Sequence, residues 1–524
     1  MSTSAASSEV IGPPRMVAVV DIGATSIRMA VAEIDHFSRV RLIDQLSQPV
    51  SLGKDAFTTR RLRRSTIEES VRVLKSFQSV LRQYEITRPD QLRVVATSAV
   101  REATNRLAFL DRIYIATGME VEPIEEAEVN RITYMGVQRH LEQNESLATA
   151  KAIVVEVGGG STELLVVRGG NVLFSHAYRL GSMRLAETLV SLGAPLSKRR
   201  GLMETEIRQT VDSIQENVRV DTRLELIALG GDVRLAARWL TENFSGVAAV
   251  DVGELEKLAD EVLLASEEEL VQKYEISFNE AETLGPALLT YVLLARSFKL
   301  SRVWVSDTNL RDGLLHDMSI RDAWSTEFRN QIIRSTIALG RKFDYDEPHA
   351  RHVAMLARKL FLQLAEEHRL DSRLEVVLSV AALLHEVGLY LNVRSHHKHA
   401  MYLIRNSELF GLGRQEMLLV SLVVRYHRRA SPLATHEGYS TLDRNSRIAV
   451  SKLAAILRVA IALDASRANR IKEVRCLKQR DSLVIQLPGV TDASLEELAL
   501  RQTVGLFEEV FGLSVRLRPV AKKI

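Results

Sequence analysis

The chain has 524 residues, and at roughly 150 residues per domain that length exceeds what one hydrophobic core serves, so several domains are expected. Hydrophobic residues make up 46% and charged residues 26%, a globular balance that excludes bulk disorder and a multi-span membrane protein. The one cysteine, Cys476, excludes an intramolecular disulfide and a cysteine-based zinc site and suits a reducing compartment, so the cytoplasm is the expected location. A formal net charge of +3 names no partner but permits a local basic groove for a polyanion.

Residues Met1 to Pro14 are Ser/Ala-rich and end in Gly12-Pro13-Pro14. They lack a basic start followed by an apolar core and read as a floppy tail rather than a signal peptide. No run of about 18 apolar residues follows, so no membrane helix is expected. From Met16 to Ala32, MVAVVDIGATSIRMAVA predicts strand, turn, strand, with a polar, phosphate-sized loop between. Ser65 and Glu68 stand at capping-box spacing ahead of Ile67, Val71, Leu74 and Leu81, one face of a helix. A strand is expected from Arg93 to Thr97. Arg101 follows one turn into a small-residue stretch, where backbone N–H groups and its guanidinium could face the same anion. Glu125-Glu126-Ala127-Glu128 opens a helix carrying Ile132 and Met135; on spacing alone, such acids complement the helix dipole.

The segment Ala152 to Val167, AIVVEVGGGSTELLVV, repeats the first layout at an offset of 135 residues. Asp21 then pairs with Glu156, Gly23 with Gly158, Ser26 with Ser161 and Met29 with Leu164, as expected for two copies of one α/β unit with facing loops. An acid at a strand end followed by glycine and small hydroxyl residues lets N–H groups approach phosphate while the carboxylate holds Mg²⁺. Asp21-Ile22-Gly23 and Glu156 to Thr162 both qualify. The competing reading is a hairpin whose glycines merely allow positive φ. Glu163 follows the second loop and would project near its phosphate or metal. A third glycine turn, Leu229-Gly230-Gly231-Asp232, follows an apolar run, and a strand from Val303 to Ser306 leads into Arg311-Asp312-Gly313.

Past about residue 325 the pattern turns helical: Val353, Leu356, Ala357, Leu360, Phe361 and Leu364 trace one face. Histidines 349, 352, 368, 385, 396, 397, 399, 427 and 436 crowd there. The end reads as strand (Ile471 to Leu477), strand (Ser482 to Leu487), helix (Leu495 to Val510) and strand (Leu513 to Leu517).

Across nearly its whole length the chain resembles the exopolyphosphatase and guanosine pentaphosphate phosphohydrolase family, within the superfamily of actin, sugar kinases and Hsp70. The carriers are DIGATSIRMAVAEI (21–34), ATSAVREATN (96–105), EEAEVNRITYMGV (125–137), EVGGGSTELLV (156–166), LGSMRLAE (180–187), GGDVRLAA (230–237) and LRDGLL (310–315). The helical half adds LLHEVGLYLNVRSHHKHAMYLI (383–404) and VRYHRR (424–429). The resemblance implies that Glu128, in a register fixed by Arg131 and Tyr134-Met135-Gly136-Val137, is the glutamate that activates the attacking water. Glu163 is by the same resemblance a second essential glutamate, and Glu156 stands where the family has a Mg²⁺-linked aspartate. Arg101 and Arg311 would contact substrate phosphates, and Gly158, Gly159, Gly160 and Ser161 would cradle the terminal one, with Gly23, Thr25 and Ser26 opposite. Departures are Glu for Asp at 156, Ala24-Thr25 for Ser-Asn, and Asp232 for Thr or Ser. Glu156 reaches one methylene further than Asp and could shift the ion by about 1 Å, which puts activity in question. The helical half resembles an HD-type phosphohydrolase domain, whose metal site would use His349, His385, the following acid (here Glu386) and Asp464. The family commonly shows this His-Glu pair without catalysis. His396, His397, His399, Arg425, His427, Arg428 and Arg429 are read instead as a basic wall for a polyphosphate chain, against the plain alternative of a solvated helix face.

The expected fold class is α/β: a duplicated actin-like (ribonuclease H-like) core, an all-α HD-like domain and a small α+β domain. The expected spans are a tail (1–14), actin-like domains (15–138 and 139–324), a helical domain (325–468) and a C-terminal domain (469–524). The expected function is a Mg²⁺-dependent exopolyphosphatase releasing orthophosphate processively from chain ends, with Asp21, Glu156 and Glu163 as metal ligands. Alternatives are hydrolysis of pppGpp to ppGpp, a non-catalytic polyphosphate or nucleotide-binding regulator, and a phosphotransferase of the sugar- or acetate-kinase type. No nucleic-acid or membrane partner is expected, and the resemblance implies a homodimer.

Overall fold

A computed structural model describes residues 14–520 apart from 192, 194–195, 219–222, 243, 320–325 and 408; the tail expected over 1–14 lies almost wholly outside these. β-Branched runs build β1 (Arg15–Ile22) and β2 (Ser26–Ile34), joined by the predicted tight loop. With β3 (Val40–Pro49), β4 (Leu92–Ala96) and β5 (Val121–Pro123) they form a sheet of order β3-β2-β1-β4-β5. β1 pairs antiparallel with β2 and parallel with β4.

The second sheet repeats this plan with β6 (Lys151–Val157), β7 (Thr162–Arg168), β8 (Asn171–Tyr178), β9 (Leu224–Leu229), β10 (Val247–Asp251) and β11 (Arg302–Ser306), in the order β10-β11-β9-β6-β7-β8. β10 is an antiparallel addition at the edge. The predicted offset holds at the level of register: Ile22 pairs with Ile27, and Val157 with Thr162. Each loop closes with the same bond, Gly23 N–H to Ser26 O at 3.0 Å and Gly158 N–H to Ser161 O at 2.9 Å. The chain has the duplicated α/β core that the repeat in the sequence led us to expect.

Helices bury both faces of the first sheet. Arg64–Gln83 presents Ile67, Val71, Leu74, Phe77 and Leu81 to Val20, Ile22 and Val94. Ser65 is not its cap: the helix starts at Arg64 with Arg63 at the N-cap position, where the buried carboxylate of Asp55 accepts the Arg63 N–H at 2.9 Å and fixes the entry. On the other face, Val17, Val19 and Val95 pack with Val129 and Ile132 of the helix Glu126–Gln143 and with Leu310, Leu314 and Leu315 of the helix Leu310–Ser319. The boundary expected at 138 therefore falls inside a helix, and the last helix of the expected second domain returns to cover the first sheet. The second sheet's core centres on the helix Phe278–Ser297, whose Leu284, Ala287, Leu288, Tyr291 and Ala295 are wholly or almost wholly buried.

The chain divides at Arg321/Asp322 into two compact units. In the second, the predicted stripe from Val353 to Leu364 is buried on and just past the helix Glu347–Gln363, and the helices Leu374–Leu384, His396–Arg405, Arg414–Arg425 and Arg444–Ala462 follow. A sheet of order β12-β13-β14 closes the unit, with β12 (Arg475–Lys478), β13 (Ser482–Pro488) and β14 (Ser514–Val520). Two departures stand out. The expected single helix over 495–510 is two, Ser494–Thr503 and Gly505–Phe511. β12 begins only at Arg475, because the carbonyls of Ile471 and Val474 are engaged by His352 and Gln363. These bonds, with Arg470 on Glu496 at 3.0 Å, tie the segment after residue 468 to the helices. Among the described residues no helix is long and apolar enough to cross a membrane.

Candidate active site in the first unit

The ends of β1 and β6 deliver the two expected acids, and the strand register decides what stands beside each. Asp21 lies opposite Arg28, and Glu156 lies opposite Glu163. Under the 135-residue offset, Arg28 and Glu163 occupy the same position in the two copies. The first hairpin thus carries an opposite-charge pair and the second a like-charge pair. Burial, then the charge of Glu156, pushes Glu163 up to about 7, with a 2.6 Å hydrogen bond from Ser161 Oγ partly offsetting them. Burial also raises Glu156 and Asp21, while Arg234 pulls the former down and Arg311 and Arg28 the latter.

Four arginines face these acids. Arg311 is 3.6 Å from Asp21, and its buried Nε has no hydrogen-bond partner. Arg234 donates to Thr308 O at 3.0 Å, and Arg28 and Arg234 both act on Glu156. Arg101 acts on Glu163, but its guanidinium also donates to Ile124 O at 2.9 Å and to Glu126 at 3.3 Å. Asp232 accepts from Thr283 at 2.9 Å, and burial pushes it up to about 6. Tyr291 accepts the Val157 N–H at 2.8 Å and donates to Leu229 O, so it pins the ends of β6 and β9 together.

The glycines are required for close approach, not for positive φ. None of Gly23, Gly158, Gly159 and Gly160 has a positive φ. A Cβ on Gly159 would stand 2.9 Å from Ala24 Cβ, and one on Gly160 would stand 2.3 Å from the Phe57 ring and 2.4 Å from Ser98 Oγ. The two loops therefore meet, as expected of facing copies. The carbonyls of residues 158, 159 and 160 are held by Ser182 N–H, Arg184 N–H and the Arg184 guanidinium. The N–H groups of Gly159 and Gly160 make no hydrogen bond among the described residues and remain as donors for an anion. Opposite them the departure residue Ala24 is buried, its carbonyl accepting from Gly53, and Thr25 O accepts from Val50 and Asn279; Ser26 is buried at the start of β2.

Glu128 does not join this group. The helix Glu126–Gln143 turns Glu126 toward Arg101 and Thr133 toward Glu156, 3.5 Å away. At about 100° per residue, Glu128 stands on the opposite side. There both its oxygens take Arg131 (2.6 and 2.8 Å) and one takes Arg93 (3.2 Å), with Asp317 completing the network. Against burial, these arginines hold Glu128 below the usual glutamate range. The carboxylate nearest to a base poised at neutral pH is Glu163. Sequence reasoning missed Arg28, Arg234, Thr133 and Tyr291. The offset could have found Arg28, since it matches Glu163.

For Mg²⁺ the hard oxygens of Asp21 and Glu156 fit: Asp21 Oδ1 is buried without a hydrogen-bond partner, and Glu156 has only the long bond from Thr133. Among the described residues, Asp21, Glu156 and Glu163 do not bring three ligand atoms within 4.8 Å of one another. An ion there would keep several waters, the usual habit of Mg²⁺.

In the second unit the expected basic wall is corrected in part. His427 is buried, with Nδ1 on Val424 O at 2.6 Å, and burial lowers His396, lowers His397 to about 4, and lowers His427 well below the usual histidine value. These rings are neutral at pH 7, because the surrounding helices desolvate them and Arg425 and Arg428 stand close to His397. His399 is half-buried, Arg425 likewise, and Arg428 is exposed.

The Ppx/GppA phosphatase family model matches residues 30–321, and the model of Ppx/GppA phosphatase, domain III, matches residues 332–505. Among solved structures, an exopolyphosphatase from Cytophaga hutchinsonii is similar in fold, with 18% identity and a TM-score of 0.53 over 58% of this chain and 98% of its own. A Ppx/GppA family member from Aquifex aeolicus has 25% identity and a TM-score of 0.49 over 60% of this chain and 100% of its own. Since the first family model spans more than half of the sequence, the chain belongs to the Ppx/GppA phosphatase family.

Proposed function

We propose that this cleft hydrolyses the terminal phosphoric anhydride of inorganic polyphosphate. The observation that carries the reading is the convergence of Asp21, Glu156 and Glu163 with Arg28, Arg101, Arg234 and Arg311 at two touching glycine loops. Phosphoryl transfer depends mainly on positioning and charge neutralisation. The Gly159 and Gly160 N–H groups and the Arg311 guanidinium, whose Nε is unpartnered, would bind the terminal phosphate. Mg²⁺ held by Asp21 and Glu156, directly or through water, would neutralise part of the phosphate charge. Glu163, near 7, takes a proton from the attacking water as oxygen adds to phosphorus. The bridging P–O bond breaks, orthophosphate leaves, and the chain is one unit shorter.

The test is orthophosphate release with Mg²⁺ from long-chain polyphosphate and from pppGpp in parallel, by wild type, Glu163→Gln and Glu128→Gln. Release from polyphosphate that is lost in Glu163→Gln and kept in Glu128→Gln is expected. A faster rate on pppGpp would move the substrate to the nucleotide. Release from neither, with measurable binding, would make the protein a polyphosphate-binding regulator.

A further inference from the structure

One stripe of the helix Glu126–Gln143 carries Glu126, Asn130 and Thr133, spaced four and three apart, which at about 100° per residue fall within roughly 60° of one another. Glu126 is engaged by Arg101 at 3.3 Å, the arginine that acts on Glu163. Thr133 stands 3.5 Å from Glu156, which lies opposite Glu163 in the strand register. Asn130 comes between the two on the same stripe. The neighbouring Val129 and Ile132 are committed to the core of the first sheet, and the helix also packs against β7, the strand that bears Glu163.

Asn130 is 3% exposed, and its Oδ1 is buried without a hydrogen-bond partner. Buried amide oxygens are nearly always satisfied, because a bare one forfeits the bond that water makes to it in the unfolded chain. Leucine has almost the same outline and would carry no such cost, so packing alone does not account for an amide at this depth. Its place in the fold does: the bare oxygen sits on the stripe whose other two members touch the groups around the facing glutamates. Asp21 Oδ1 and Arg311 Nε, elsewhere in the same cleft, are bare in the same way.

We propose that Asn130 Oδ1 accepts one hydrogen of the water that attacks the terminal phosphorus and so sets the direction of that water's nucleophilic lone pair. This rests on the hydrolytic reading of the cleft and adds a catalytic residue to it. Water has two hydrogens. With Glu163 receiving one and Asn130 holding the other, a lone pair on oxygen is turned away from both and toward phosphorus. In the step, the O–H bond to Glu163 breaks and its proton passes to the carboxylate, the O–P bond forms, and the bridging P–O bond breaks with its electron pair on the departing chain. Asn130 gains and loses no proton, since an ordinary amide oxygen accepts hydrogen bonds without being a base at neutral pH. Its contribution is orientation, which is most of what a protein supplies to phosphoryl transfer.

The test compares wild type, Asn130→Leu and Asn130→Asp in orthophosphate release from long-chain polyphosphate and from pppGpp with Mg²⁺, and in denaturant unfolding. Asn130→Leu removes the acceptor at nearly constant volume. Its kcat should fall by about 10²-fold with KM within about twofold of wild type, because the group holds water and not substrate. Its unfolding midpoint should stay at or above that of wild type, since a bare buried oxygen has been removed. Asn130→Asp keeps an acceptor oxygen at the same reach and should recover part of the lost kcat. An active wild type whose kcat Asn130→Leu leaves within about threefold would overturn the proposal while the hydrolytic reading stands. So would equal losses in both variants accompanied by lower unfolding midpoints, which make Asn130 a packing residue. A wild type that releases orthophosphate from neither substrate would remove the hydrolytic reading and this role together.

Discussion

At the scale of single residues, the side chain that sets the chemistry is the one in the least comfortable place. Glu163 rises from 4.5 to about 7 because it is buried and faces Glu156 across the strand pair. The folded chain therefore holds this proton more tightly than the unfolded chain. The associated stability is complete below about pH 4.5 and is lost as pH rises through about 7. Without Mg²⁺, Glu163→Gln should unfold at the same denaturant concentration as wild type near pH 4 and be more stable above pH 7, by roughly 3 kcal/mol; equal stabilities at both ends would show that Glu163 does not carry the shift. In the same variant kcat should fall by roughly 10²–10⁴, and the wild-type rate should climb with pH and level off above about 7. Glu128→Gln should do the opposite. Loosening Arg131 and Arg93 costs about 1–3 kcal/mol of stability and should leave the pH profile of kcat in place, as a stopped assay across pH 5–9 would show. Both acids were legible in the sequence as site candidates. What keeps Glu128 out of the group is the rotation of its helix, since residues two apart on a helix, here Glu126 and Glu128, point to opposite sides. That rotation also brings Thr133, an unremarked residue in sequence, to Glu156.

At the scale of elements, the two hairpins were legible down to their register because the same alternation and the same Gly-to-Ser closure recur 135 residues apart. The reason for their glycines was not legible, because it lies in contacts between loops distant in sequence. Gly160→Ala should be the more damaging of two alanine substitutions. Its Cβ would enter the Phe57 ring and Ser98 Oγ, and overpacking of this kind costs about 1–3 kcal/mol. Phe57 also lies under the Arg184 guanidinium that holds Gly160 O, so the loop should shift and turnover should drop. Gly169→Ala places its Cβ in open space at φ +53°, and only the left-handed backbone resists it, by about 1 kcal/mol. Denaturant midpoints and turnover measured on both variants check this, and Phe57→Leu should restore part of what Gly160→Ala loses. Equal effects of the two alanines would remove the packing argument. The capping-box expectation failed at this scale for a similar reason: a distant buried acid, Asp55, sets the helix start through the Arg63 N–H, and Ser65 is left inside the first turn.

At the scale of the whole molecule, the sequence places the change from α/β to helical texture at 324/325, and the chain divides into two compact units at 321/322. A helix spans the boundary expected near 138, and side-chain bonds to backbone carbonyls cross the one expected near 468. This difference makes the cut at 321 the one that should leave folded pieces. The cores of the first unit draw their buried residues from Val17 to Leu315, and the Ile337, Ala350 and Leu383 cluster lies wholly in the second. Every group assigned to the cleft lies before residue 321. Residues 1–321 and 322–524 produced separately should each unfold cooperatively, with circular dichroism spectra that sum to that of the full chain. The first piece should keep the pH dependence of turnover on short polyphosphate. A cut at 138/139 should give no folded first piece, because it severs the helix whose Val129 and Ile132 cover the first sheet and discards the Leu310–Ser319 helix beside them. If the pieces made at 321 fail to fold while those made at 138 succeed, the division into units rests on the wrong set of contacts.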